Sequence, residues 1–343
     1  MKKLAVFIGT PVLLTIIAGA ALYNTASGQD FLIDRLATLG MSKQAIDSEG
    51  LNVIVCGSAS PLGNDPDRAQ ACIAVVTPEH FFLFDIGDRA SFRIAEARLP
   101  TGRLTGIFLT HFHSDHIADV PSVNMNSWIQ GRDSKLNVYG PQGVETVIGG
   151  FNIAYQLDKT YRTAHHGADL LPAATAAMNP ITITPGIAFQ DANIKITAFL
   201  VDHAPIDPAM GYRVDYKDRS VVISGDTVST DSLFIAAKDA DLLLHDALSE
   251  PALAAVIAAM KASGNDRTAT IVSDVHDYHA HSTNLEAQSK KAGIKQLAFY
   301  HMVPVPTMPL IEKIFQRGIS SDVILTKDLM TFQMLAGSEE III

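Results

Sequence analysis

The chain has 343 residues, 48% of them hydrophobic and 18% charged, with a formal charge of −10 at pH 7. That length and apolar content are enough to bury a full core, which excludes a disordered or low-complexity chain. The acidic balance repels polyphosphate backbones, so nucleic acid is a disfavoured partner; losing a leader that holds Lys2 and Lys3 would lower the charge by two, from −10 to −12.

Residues 4–23 carry no charge and follow Lys2 and Lys3. A stretch of this kind reads as an export signal. It fits a cleaved signal peptide, with small residues at Ala18-Gly19-Ala20 or Thr25-Ala26-Ser27, and it fits an uncleaved membrane anchor equally well. The lysines on its N-terminal side place the body outside the cytoplasm, periplasmic, extracellular or anchored there. Residues 1–28 are therefore expected to be signal or anchor, and 29–50 a linker or lead-in helix around Phe31, Leu32, Leu36 and Leu39. Residues 51–343 are expected to form the globular domain. Cys56 and Cys72 lack the spacing of a metal pair; they either bridge neighbouring strands in an oxidising compartment or stay as buried thiols.

From Leu51 onward, short apolar β-rich runs alternate with helical patterns. Strands are predicted at 52–56, 72–76, 81–84, 106–109 and 136–139, then at 194–201, 220–223, 242–244 and 297–300. Helices are predicted near 120–128, 144–157, 231–237, 251–262, 283–292 and 309–315. Two successive strand sets with helices between them point to an α/β class, an αββα sandwich of two mixed β-sheets flanked by helices.

Four of these apolar strands end in a residue able to bind metal: His111, His203, Asp226 and His301. Strand ends are where a rigid sheet gathers distant side chains into one cleft. In His111-Phe112-His113-Ser114-Asp115-His116, the first two histidines leave an extended backbone on one face and can grip one ion, while Asp115 and His116 turn toward a second. Such nitrogen and oxygen donors suit zinc, and less often manganese or iron.

His111, His113, Asp115, His116, His203, Asp226 and His301 resemble the seven ligands of the metallo-β-lactamase superfamily. The resemblance implies its fold and two zinc ions, one on His111, His113 and His203, the other on Asp115, His116 and His301, with Asp226 bridging. Gly57-Ser58-Ala59-Ser60-Pro61, Phe84-Asp85-Ile86-Gly87, Gly211-Tyr212-Arg213, Ser224-Gly225-Asp226-Thr227, His245-Asp246-Ala247 and Ala280-His281-Ser282-Thr283 are similar to segments of the tRNase Z-like branch, which includes zinc phosphodiesterases and arylsulfatase-like enzymes. By that resemblance Asp115, Asp246 and His281 are catalytic. His281 would be the general acid, oriented by Asp246, where the branch usually has Glu. Asp85 would fix a ligand imidazole from behind.

The implied reaction is hydrolysis by a hydroxide bridging two zincs ~3.5–4 Å apart. Tyr161, Arg162, His165 and His166 lie in the insert that often overhangs the metals in this fold, and are candidates to face substrate. His276 and His279 read as a solvated loop that could line the cleft. The branch's Gly- and Lys-rich tRNA-binding arm has no counterpart here: between 131 and 190 only Arg132, Lys135, Lys159 and Arg162 are basic. The expected substrate is a small phosphodiester or sulfate ester. Alternatives are a lactone or β-lactam, and an iron redox or metal-binding protein on the same fold. A homodimer is left open.

Overall fold

A computed structural model of the chain describes residues 19–40, 49–62 and 65–343. The chain divides into two units, residues 1–45 and 46–343. In the first, helix α1 (Ala26–Gly40) covers much of the expected lead-in segment and leaves Phe31, Ile33 and Leu36 exposed. Most of the apolar stretch 4–23 lies outside the described residues. Among the described residues no helix is long and apolar enough to cross a membrane.

The second unit runs β1 (Leu51–Gly57), β2 (Cys72–Val76), β3 (Phe81–Phe84), α2 (Ala90–Glu96), β4 (Gly106–Phe108), α3 (Ser114–Ile117), α4 (Val120–Ile129), β5 (Leu136–Gly140), α5 (Val144–Ala154), α6 (Gln156–His166) and β6 (Met178–Thr182). It continues with β7 (Gly186–Gln190), β8 (Ile194–His203), β9 (Ile206–Tyr216), β10 (Arg219–Ile223), α7 (Asp231–Ala236), β11 (Leu242–Leu248), α8 (Glu250–Ala262), α9 (Asp266–Asp274), α10 (Ser282–Lys291), β12 (Gln296–Val303), α11 (Pro309–Phe315), β13 (Ile324–Leu325) and β14 (Thr331–Met334).

The strands form two seven-stranded sheets, ordered β14-β1-β2-β3-β4-β5-β6 and β13-β12-β11-β10-β9-β8-β7. Each is antiparallel in one part and parallel in the other. The first turns parallel from β3 onward, and the second is parallel from β10 through β13. Strand periodicity explains the layering. In β1, Val53 and Val55 face the other sheet while Ile54 and Cys56 face the outer helices; in β3, Phe82 and Phe84 point inward and Phe81 and Leu83 outward. Strands buried on both faces read as continuous apolar runs, which is why the sequence exposed them. Between the sheets, Phe84, Phe108, Tyr139 and Tyr212 stack and tilt against one another, and each fully buried side chain of this size contributes ~1.5–3 kcal/mol.

Cys56 and Cys72 are joined in a disulfide between β1 and β2. The longest departure from the predicted elements is β9, where Asp207, Pro208, Gly211, Arg213 and Asp215 mask the strand pattern; it exists because β8 pairs along nearly its whole length. The helix predicted at 144–157 breaks at Tyr155 into α5 and α6.

Candidate metal centre

The candidate ligands converge because each sits where a strand gives out. His111 follows β4, and His113 is still extended when α3 begins at Ser114, so Asp115 and His116 lie on a helical first turn facing the two histidines. His203 ends β8. Asp226 follows β10 through Gly225, whose φ of +66° suits glycine, and a Cβ there would meet the Met210 carbonyl oxygen at 2.8 Å. His301 is the extra residue of a bulge, since Tyr300 pairs with Asp246 and Met302 with Ala247. Its φ of +43° is unusual for a residue with a side chain and turns the imidazole into the cleft.

Two overlapping donor sets result. His111, His113, His203 and Asp226 form one, and Asp115, His116, Asp226 and His301 the other, with the donor atoms of each set within 4.8 Å of one another. Within the first, His111 Nε2 lies 3.0 Å and His203 Nε2 3.4 Å from His113 Nδ1. In the second, His116 Nε2 is 3.2 Å from Asp226 Oδ2, and His301 Nε2 is 3.0 Å from Asp115 Oδ2. Donors at ~2.0–2.1 Å from a tetrahedral zinc stand ~3.4 Å apart, so these spacings fit the edges of such a site. Buried Asp226 Oδ1 and His301 Nδ1 make no hydrogen bond although they face each other at 3.3 Å, which suits atoms directed at a cation.

Behind the donors, Asp85 holds two of the imidazoles. Its Oδ2 accepts from His116 Nδ1 and from Thr110 Oγ1, both at 2.8 Å, and its Oδ1 accepts the Thr110 amide. The Thr110 hydroxyl, having spent its proton on Asp85, accepts from His111 Nδ1 at 3.0 Å. His203 Nδ1 donates to the Tyr278 carbonyl. All three rings therefore carry their proton on Nδ1 and present a bare Nε2 to the centre. Asp85→Asn is expected to weaken zinc retention or activity ~10–100-fold, read by competition with a chromophoric chelator; unchanged retention would make Asp85 an ordinary turn residue.

The electrostatics divide the donors. Burial, reinforced by neighbouring imidazoles, pushes His111 well below its ordinary range, and burial likewise lowers His113 and His203. Burial opposes charge on His116 and His301 too, but Asp226 with Asp85 or Asp115 outweighs it and raises both. Burial alone would raise Asp115, yet His116 and His301 bring it down to about 2. The carboxylates of Asp85, Asp115 and Asp226 thus favour positive charge at the positions of His116 and His301.

A cleft of about 250 Å³ opens over these residues, lined among others by Ser60, Tyr278 and His279. The expected Asp246–His281 pair is not the one formed. Asp246 Oδ2 accepts from His279 Nδ1 at 2.8 Å, and His245 approaches the other oxygen at 2.9 Å. His281 stands just before α10, 3.7 Å from Glu250. Asp246, a methylene shorter than glutamate, ends against His279 and the Ala280 amide. His279, read from the sequence as part of a solvated loop that could line the cleft, is buried on the cleft wall; its signal was a second His-x-His. Tyr161, Arg162, His165 and His166 all fall on α6, where no side chain is buried, and none of them lines the cleft. Arg162 pairs instead with Asp158 at 3.0 Å.

Residues 83–302 match the family described as Beta-lactamase superfamily domain. The chain belongs to the metallo-β-lactamase superfamily. It falls in the tRNase Z-like branch: it is 32% identical over 257 residues to ribonuclease Z of Mycobacterium bovis, covering 74% of this chain and 86% of that protein. Ribonuclease Z of Mycobacterium marinum is 31% identical over 260 residues, with 74% and 87% covered. Among solved structures, the metallo-beta-lactamase fold protein YhfI from Bacillus subtilis aligns with a TM-score of 0.59 and 18% identity, over 83% of this chain and all of that one. The short form of human tRNase Z aligns with a TM-score of 0.54 and 22% identity, over 82% and 98%. The chain is a metal-dependent hydrolase of this superfamily, which removes the redox and binding alternative.

The ribonuclease Z relatives overturn the expectation of a small-molecule substrate with nucleic acid disfavoured. That expectation rested on the lack of a Gly- and Lys-rich arm between 131 and 190, on export, and on the charge of −10, which is a sum over the whole chain. A substrate at the cleft meets a local field, and metal dications there would dominate it.

Proposed function

We propose that this hydrolase is a dinuclear zinc phosphodiesterase acting on RNA, exported from the cytoplasm. The observation that carries the reading is the pair of donor sets sharing Asp226 at the floor of a cleft that His279, held by Asp246, also lines. His111, His113, His203 and Asp226 would hold one ion, and Asp115, His116, Asp226 and His301 the other. When bound, the ions supply Lewis acidity for the phosphoryl oxygens and make a coordinated water acidic enough to ionise near neutral pH.

The chain's own groups do the remaining work. Asp85 and the Tyr278 carbonyl keep the ligand rings in register. His279 donates from Nδ1 to Asp246, which holds the ring on the cleft wall so that its doubly protonated form would pass a proton from Nε2 to a departing ribose oxygen. The names of the relatives favour RNA, and a cleft of about 250 Å³ takes a scissile phosphodiester with its adjoining sugar. Export is supported by the apolar segment after Lys2 and Lys3 and by the Cys56–Cys72 disulfide, a bond that persists in oxidising compartments.

The test is zinc content of the purified chain together with cleavage of a short single-stranded oligoribonucleotide, a tRNA precursor, the matching DNA oligomer and a homoserine lactone. About two zincs in the dinuclear centre and RNA cleavage are expected. Lactone turnover without RNA cleavage would sink the substrate assignment, and fractionation that leaves the intact chain in the cytoplasm would sink export.

A further inference from the structure

Outside the centre just described, a second kind of donor cluster stands beside the segment that borders the cleft. Glu250 is the first residue of α8, His276 lies in the short 3₁₀ turn Val275–Asp277 after α9, and His281 immediately precedes α10. Three separate elements thus deliver one carboxylate and two imidazoles to the same point. His276 Nδ1 is 2.8 Å from Glu250 Oε2 and His281 Nδ1 is 3.7 Å from that same oxygen, and one donor atom from each residue lies within 4.8 Å of the others. The imidazole rings are 5.8 Å apart.

We propose that Glu250, His276 and His281 bind a third divalent transition-metal ion, zinc by preference, with solvent completing the coordination. Two imidazoles and one carboxylate are a donor set that zinc accepts, with a fourth position left open. The contacts of 2.8 and 3.7 Å bracket the ~3.4 Å edge of a zinc tetrahedron. The side chains of Glu250, His276 and His281 are 53%, 25% and 38% exposed, so an ion can reach them and water can complete its shell.

Position gives the ion a consequence. Residues 275–281 carry Tyr278, whose carbonyl orients His203, and His279, which sits on Asp246. An ion held by His276, His281 and Glu250 would tie that segment near both ends to the start of α8. Its occupancy would fix the backbone on which two groups of the cleft are mounted. His281, expected from the sequence to be the general acid, acquires a different duty.

The site does not depend on how the dinuclear centre is read, and a difference measurement separates them. The full chain and the single variants Glu250→Gln and His276→Ala are dialysed against buffered zinc, and their bound zinc is counted. The wild type is expected to hold one equivalent more than either variant, with the remaining zinc unchanged. Equal zinc in all three proteins would overturn the third site and leave the dinuclear centre standing. A wild type that binds a single zinc, lost in both variants, would support the third site and refute the dinuclear one. Both substitutions fall on exposed or half-exposed side chains, so the fold is retained; a circular dichroism melt without zinc verifies it.

Discussion

Asp226→Asn is expected to lower RNA cleavage by a factor on the order of 10³ and to empty the centre of at least one ion. The first figure is the scale of loss when one group that stabilises developing charge is removed. Asp226 is almost fully buried and belongs to both donor sets, so no other carboxylate can stand in for it. Asparagine keeps the shape but removes the charge and puts an NH2 donor in place of one acceptor oxygen.

The pH profile of zinc loading gives a second reading of the same variant. After the opposing effect of burial, Asp226 is the largest influence raising both His116 and His301 above the ordinary imidazole value of 6.5. In the wild type, protons on these rings compete with the ion, so zinc affinity weakens as pH falls through their raised pKa values. Without the carboxylate both rings lose protons more easily. The loading curve is therefore expected to move to lower pH while its plateau falls. A variant that loads two zincs with an unshifted curve would show that Asp226 neither bridges nor sets those protons.

How much of this was legible follows from what each residue depends on. The seven candidate ligands could be read because four of them follow a local rule, an apolar run long enough to be a buried strand and then a donor at its end, and the other three, His113, Asp115 and His116, follow His111 in one short motif. Asp85 could be read for the same reason, directly after FFLF. The two sheets were legible because their central strands are apolar on both faces, whereas β9 was not, since its residues are strand only by virtue of β8.

The Asp246–His279 contact depends on how the segment after α9 crosses the end of β11. There Leu248 donates to the Ala280 carbonyl at 2.7 Å, a long-range pairing that no local pattern announces. The substrate was misjudged for a related reason: total charge is additive along the chain, but the field in a cleft depends on where a few charges stand.

That contact leads to the second large effect. His279→Ala is expected to slow cleavage of a ribose phosphodiester ~10²–10⁴-fold, the usual contribution of a positioned general acid. On bis(p-nitrophenyl) phosphate the loss should be small, because nitrophenolate departs without a proton. His281→Ala, whose imidazole turns toward Glu250, should lose far less on either substrate. Asp246→Asn should resemble His279→Ala in sense but be milder, since it disturbs the orientation of the imidazole and leaves the ring in place. A merely structural His279 would slow both substrates alike, so the leaving-group contrast separates the two roles. If instead His281→Ala carries the large, leaving-group-dependent loss, the segment 275–281 must shift when substrate binds, bringing the motif histidine over the centre in place of His279.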